Sequence, residues 1–433
     1  MIQTKSYKLI YLILICGLIC SFFGTNIPET VAATSSKQLL TQADFKYLGA
    51  FELPSSVPSG ADTGWGRGLA IRSVNGELRA FSAAWTASGP QSVYEVRVPA
   101  TFSGTPTASL VKEWGDITHG KMVAANGNPK IVGLYWDQTD QRLYWSYQDG
   151  YNASGGSDPS LGYSTLSDSG SSTAYGPWYF PSTGPKATGG CVVPVPDWFA
   201  SSYASGRRLA AGCGGPWSAA TVGPAQFGPA LSAFNPSSLS GSTVSATTLV
   251  GYPFSSTIYG PPDRAHRDTN YSLPGGNDWI GWLPKNGIGY WTDGDWLWQG
   301  GAWIDLPDKH GVIFLPTMVS GSFYYQSSTI HGAGGFHEWM VYDPADLARV
   351  AQGQAQEWEI QPKSWWSVQY PGLSYPLPSW SDLQNNSVMG VAFDPTTRRL
   401  YVSVRFAAVY VYEVQSSSTD TTPPAPPTGL SIK

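Results

Sequence analysis

The densest charge in this charge-poor chain is Asp263-Arg264-Ala265-His266-Arg267-Asp268, followed by Tyr271, Asp278, Trp279, Trp282, Trp291, Asp293, Asp295, Trp296 and Trp298. Side chains of these types suit one kind of partner. Flat aromatic rings present a negative π face to the polarised C–H bonds of a pyranose, while Asp, Arg and His hydrogen-bond its hydroxyls. Arg264, Arg267, Tyr271, Trp279, Trp282, Trp296 and Trp298 are therefore candidate substrate-binding residues, and Asp263, His266 and Asp268 form the candidate catalytic set. Hydrolysis of a glycosidic bond would need two carboxyl groups about 5 Å or about 6.5–9.5 Å apart, according to stereochemical outcome. Elimination beside a uronate would instead use His266 as base, with Arg264 or Arg267 neutralising the acid. The plain alternative for each polar residue is a solvated loop side chain. For strand tryptophans such as Trp136 and Trp145 the expectation is core packing.

His119, His331 and His337 complete the candidate binding residues. His331 and His337 sit with Glu338 in HGAGGFHE, which lacks the i, i+4 spacing that places two zinc-binding histidines on one helical face, so no metal is expected. The sequence has no phosphate-cradling loop, CxxC pair, nucleophile elbow or dinucleotide fingerprint, and no cofactor is expected.

The elements that must hold these residues are short, Val/Tyr/Trp-rich runs punctuated by Gly, Pro, Asn and Asp, which read as an all-β chain. Pro344 to Gln352 is the one helical stretch expected. A four-strand pattern, A to D, recurs. The first unit reads Leu69–Val74, Glu77–Ala84, Ser92–Val98 and Ser109–Trp114; the second reads Ile131–Asp137, Arg142–Tyr147, Leu161–Leu166 and Tyr175–Phe180; the third reads Gly190–Val195, Arg208–Cys213, Pro229–Phe234 and Thr247–Tyr252. A fourth has Gly301–Leu306, Gly311–Pro316, Glu338–Tyr342 and Glu357–Ser364. The fifth has Met389–Asp394, Arg399–Val404 and Val409–Val414, but no D strand. GLYWD-QTDQ-RLYWSY and GVAFD-PTTR-RLYVSV, starting at Gly133 and Gly390, are one motif written twice. Phe45–Leu53 is a strand with no unit of its own, and would supply the missing one.

This repeat, at a spacing of roughly 60 residues, resembles a β-propeller in which the last blade is closed by the N-terminal strand. A ring leaves no end sheet with an uncovered apolar face. The expectation is five four-stranded antiparallel blades, with NDWIGWLPKNGIGYW, in the unassigned residues 253–299, leaving a sixth open. Five-bladed glycosidases are similar in architecture, and no motif carries their residues across. TDTTPPAPPTGLSIK resembles the linker and opening strand of a fibronectin type III domain in secreted bacterial multidomain proteins. Residues 416–433 are accordingly expected to be a disordered Pro/Thr-rich tail, after a propeller spanning 34–415.

In a propeller the D-to-A and B-to-C connections emerge on one face and the A-to-B and C-to-D turns on the other. The A-to-B turns are mostly tight, whereas the first class includes Gly115–Lys130, Gln148–Ser160, Gly214–Gly228, Pro253–Gly300, Thr317–His337 and Val368–Val388. The elaborated face is the expected binding face. His119, His266, His331 and His337 fall there, and His310 falls opposite.

Residues 1–33 read as an export signal: Lys5 and Lys8, the apolar run Leu9–Phe23, and Val31-Ala32-Ala33 as cleavage site. An uncleaved anchor is the alternative. Removing Lys5, Lys8 and Glu29 from the 25 basic and 30 acidic residues leaves 23 and 29, a formal charge of −6 that excludes nucleic acid as a partner. Of the four cysteines, Cys191 and Cys213 remain after cleavage, on strands expected to pair, and export favours a disulfide between them. The reading is a secreted, extracellular monomer, with no membrane association after cleavage, that binds carbohydrate, a polysaccharide or cell-surface glycan, on its long-connection face. The alternatives are a glycoside hydrolase or polysaccharide lyase using the same face, and an extracellular protein-interaction scaffold.

Overall fold

The computed structural model of the chain describes residues 37–54, 67–84, 91–123, 129–149, 160–167, 169–180, 190–213, 229–252, 300–320, 324–326, 329–331, 334–405 and 407–416. They form a five-bladed β-propeller. From the inner strand outward, blade 1 comprises Arg67–Val74, Glu77–Ala84, Ser92–Arg97 and Ser109–Gly115, and blade 2 comprises Pro129–Asp137, Arg142–Asp149, Leu161–Leu166 and Ser172–Trp178. Blade 3 comprises Cys191–Pro194, Leu209–Gly212, Leu231–Phe234 and Ala246–Val250. Blade 4 is built on Gly301–Asp305, Lys309–Phe314, Gly334–Tyr342 and Ser364–Val368.

Blade 5 joins the two ends of the domain. Val388–Asp394, Arg399–Val404 and Val409–Val414 are followed outward by Phe45–Phe51, which runs antiparallel to Val409–Val414 with Phe45 opposite Val414 and Phe51 opposite Val409. The orphan N-terminal strand is therefore the missing fourth strand. A short stretch before it, Gln38–Leu39, adds to blade 4 in parallel with Lys309–His310, and Asp44 pairs with Lys309.

The core is divided among five wedges, one between each pair of adjacent blades. Period-2 alternation explains the division, because successive side chains of a strand face opposite neighbours. In Val409–Val414, Tyr410, Tyr412 and Val414 fill the wedge toward blade 4, while Val409 and Val411 fill the wedge toward blade 1. Trp145 is fully buried and Trp136 nearly so, both in the wedge between blades 1 and 2, as expected for strand tryptophans. The disulfide joins Cys191 to Cys213 across the two inner strands of blade 3, with Cα atoms 5.5 Å apart.

Two sequence expectations are corrected. The sixth blade is absent from the ring: the inner strand of blade 3 packs directly on that of blade 4, which leaves no gap for another sheet between them. The outer strand of blade 4 is Ser364–Val368 rather than Glu357–Ser364. Pro362 has no N–H to give a ladder, and Trp365, Trp366 and Val368 favour extended backbone. The helix Pro344–Ala351 is present, capped by Asp343, whose carboxylate accepts the Ala345 N–H at 2.8 Å. Two further helices, Asp197–Ser202 and Trp380–Asn385, were not expected.

Candidate functional site

Tight turns close the inner hairpins of blades 1, 2, 4 and 5 on one face of the ring. In blade 1, Asn75 and Gly76 both adopt positive φ, 53° and 81°, the conformation that two-residue hairpin loops require. In blades 2 and 5 the duplicated motif folds the same way twice: Asp137 and Asp394 each accept the N–H of the residue two positions on, Thr139 at 2.9 Å and Thr396 at 3.1 Å, and Gln141 and Arg398 take φ of 53° and 55°. Long connections leave the strands at the other face. Residues 253–299, which contain Asp263, Arg264, His266, Arg267, Asp268, Tyr271, Trp279, Trp282, Trp296 and Trp298, lie outside the described residues.

Of the three other predicted binding residues, His119 is exposed and its Nε2 lies 2.9 Å from Ser172 Oγ, on the outermost strand of blade 2 and away from the ring axis. His331 is in Thr329–His331, a strand that pairs with Tyr324–Gln326. His337 is at the long-connection end of blade 4, buried to 2% exposure. The structure does not bring His119 and His337 together.

His337 belongs to a hydrogen-bonded chain that crosses from blade 4 to blade 5. Its Nδ1 lies 3.2 Å from Thr317 Oγ1, which also accepts the Val388 N–H at 3.0 Å. We assign the Thr317 hydroxyl as donor to Nδ1, which puts the ring proton on Nε2, and Nε2 has no hydrogen-bond partner among the described residues. Burial depresses the His337 pKa to about 3. The ring is thus neutral near pH 7 and suited to donate a hydrogen bond, not to act as a base. Tyr370 packs edge-on against it at 4.8 Å. Next to Val388, the Ser387 carbonyl accepts the Arg405 N–H at 2.9 Å, and Arg405 Nη1 donates to the Gln384 carbonyl at 3.1 Å, at the end of the helix Trp380–Asn385.

Two more cations are at this end. Arg67 opens the inner strand of blade 1 at 1% exposure, and burial, then the charge of Arg405, lowers its pKa. Lys130, near the start of the inner strand of blade 2, is 6% exposed. Sequence reading passed over Arg67, Lys130 and Arg405, because isolated basic residues more than 60 positions apart carry no local pattern.

At the opposite, short-turn face the channel opens into a cavity of about 470 Å³. All five inner strands contribute to its wall, through Ile71, Tyr135, Val193, Ala302 and Phe393 among others. Toward the long-connection side these strands close on one another. A Cβ on Gly390 would stand 2.7 Å from the Gly68 backbone, and one on Gly68 would stand 2.9 Å from Leu134. The helix Asp197–Ser202 replaces the tight turn in blade 3 and lays Trp198 at the rim, where its Nε1 donates to Asp305 Oδ2 at 3.1 Å. Lys37 Nζ contacts the other oxygen of Asp305 at 2.7 Å.

No protein-family model matches the chain, and no curated protein matches it. Among solved structures it is similar to a candidate glycoside hydrolase from Parabacteroides distasonis, at 10% identity over 88% of this chain and 96% of that one, with a TM-score of 0.41. It is also similar to a luciferin-regenerating enzyme, at 11% identity over 85% and 94% with a TM-score of 0.32. A candidate glycosidase from Bacteroides thetaiotaomicron is 12% identical over 86% and 97%, with a TM-score of 0.36.

Proposed function

We propose that the protein is a carbohydrate-binding propeller that takes an acidic glycan, one bearing uronate or similar carboxylates, at the long-connection end of its channel. The observation that carries this reading is that the strands of blades 1, 2 and 5 carry Arg67, Lys130 and Arg405 at their long-connection ends, with Arg67 and Arg405 close enough for the charge of Arg405 to lower the Arg67 pKa. On this reading the basic character of that end of the ring favours a glycan that carries carboxylates over a neutral one. The connection 253–299 then supplies Trp279, Trp282, Trp296 and Trp298 as stacking platforms, with Arg264, Arg267 and Tyr271 as polar contacts. Asp263, His266 and Asp268 become the groups to test for turnover. We also place the protein outside the cell, which the export-like residues 1–33 and the Cys191–Cys213 disulfide support. Among the described residues no helix is long and apolar enough to cross a membrane.

The test is equilibrium binding of the purified protein to polyuronates and to neutral polysaccharides of matched length. Polyuronates should bind at least about tenfold more tightly, the preference should shrink as salt rises, and Arg405→Gln should weaken the acidic glycan about tenfold, with thermal unfolding followed alongside because Arg405 also holds the Gln384 carbonyl. Equal affinity for neutral and acidic glycans, or none for either, overturns the reading. Release of reducing ends, or ultraviolet absorbance from an unsaturated product, would mark the site as catalytic, and Asp263→Asn and His266→Ala would then separate hydrolysis from elimination.

A further inference from the structure

The short-turn cavity stands apart from the glycan site, on the far side of the glycine-tight constriction, and its lining has a chemistry of its own. At about 470 Å³ it is the size of a small-molecule pocket. Most of its lining residues are apolar. The ionisable groups on its lining are two carboxylates, Asp197 and Asp305, and the phenol of Tyr135; no Lys, Arg or His is among the lining residues. Burial first, then the nearby Asp137 carboxylate, raise the Tyr135 pKa, so its hydroxyl stays protonated. The half-buried aromatic residues Trp198, Tyr135 and Phe393 are among its lining, while the Trp303 ring is buried against Phe199.

The two carboxylates are not equivalent. Asp305 is engaged on both oxygens, by Lys37 and by Trp198. Asp197 is exposed at the rim, on the first turn of the helix that carries Trp198. A cation entering the cup meets Asp305, already paired with Lys37, and Asp197, open at the rim, with the half-buried indole of Trp198 next to it on the same helix. The apolar wall lowers the local dielectric and strengthens that attraction relative to open water. The lining itself offers an anion no cationic side chain.

From this geometry we propose that the cavity is a second binding site, for a small organic cation: an amine or quaternary ammonium group carried on an apolar, preferably aromatic, body. The body fills the channel among Ile71, Val193, Ala302 and Phe393. The charged group sits at the rim by Asp197, with the Trp198 indole beside it.

Calorimetric titration of the whole protein with three probes of one shape tests this: 2-phenylethylamine, 2-phenylethanol and 3-phenylpropionate. The amine should bind about tenfold or more tightly than the alcohol, and the carboxylate should not bind measurably. Asp197→Asn alters an exposed side chain and should bring the amine down to the affinity of the alcohol while leaving acidic-glycan binding unchanged. Ala392→Trp adds bulk at a lining position that also packs on the wedge between blades 5 and 1, and should abolish binding of all three, with near-ultraviolet circular dichroism and thermal unfolding reporting whether the fold persists. Three equal affinities, amine binding untouched by Asp197→Asn, or no binding of the amine at millimolar concentration would each overturn the proposal. Because the glycan assay reads the other end of the channel, either site can fail while the other stands.

Discussion

Glu357 is partly buried near the seam between blades 3 and 4, where its carbonyl accepts the Gly251 N–H at 3.2 Å, and burial of the carboxyl lifts its pKa from 4.5 to about 7. A carboxyl that binds its proton more tightly in the folded state favours folding when protonated. Its contribution is complete below about pH 4.5 and is lost as the pH rises through 7. His337 runs the other way: its neutral form belongs to the folded state, so stability is present above pH 6.5 and falls as the pH drops toward 3. The two slopes overlap in a plain pH titration, and a single substitution separates them. Glu357→Gln should stabilise the protein at pH 8 by roughly 1–2 kcal/mol, after allowing for partial solvent screening, and should change little at pH 4. Urea unfolding at the two pH values measures this. An equal gain at both would mean that the effect is packing rather than titration. Neither behaviour was visible in the sequence, since both depend on burial created by residues distant along the chain.

At the scale of elements, the closest contacts are made by glycines whose side chains the fold has no room for. Gly212, beside Cys213 on the second strand of blade 3, would carry a Cβ only 1.8 Å from the Ala230 carbonyl oxygen. Backbone, not a flexible side chain, blocks that space. Gly212→Ala should therefore cost about 2–4 kcal/mol, seen as a lower unfolding midpoint, whereas Gly206→Ala, where the site is open and only the positive φ of 75° resists, should cost about 1 kcal/mol. Comparable losses would show that the strand has moved to make room. Hairpin turns and alternating strands were legible in advance because their signals are local: Asn75-Gly76, the paired Asp137 and Asp394 turns, and the Trp136 and Trp145 core positions announce themselves within a few residues. The helix Asp197–Ser202 was not, because six residues are too few to display a period, and its key contact, Trp198 to Asp305, spans 107 positions. The outer strand of blade 4 slipped by several residues for a related reason: an edge strand has one hydrogen-bonded neighbour to fix it, and Pro362 hid its start.

The whole molecule depends on closure. Each wedge of the core has two walls, so an open ring would expose one face of blade 5 and one of blade 4 or blade 1 to water; the strand Phe45–Phe51 prevents this by tying the start of the domain to its end. The ring was legible from sequence because the orphan strand and the three-stranded last repeat are complementary defects. For a site the sequence could propose only a face: channel residues come from five blades, so their convergence has no trace in any one segment. Closure also predicts where the protein is weakest, since blade 5 is assembled from both ends of the domain and its last pairing joins Phe45–Phe51 to Val409–Val414, far apart along the chain. Lys46 and Glu413 are opposite one another across that pairing, both at least partly exposed. Joining them as a disulfide, with Lys46→Cys and Glu413→Cys, should cross-link under mild oxidation and raise the unfolding midpoint, by up to about 6 kcal/mol of stability on the chain-entropy model, with the increment lost on reduction. The single variants should show neither effect. A cross-link that forms but leaves the midpoint unchanged would mean that unfolding begins elsewhere in the ring, and failure to form one would place the two chain ends apart in solution.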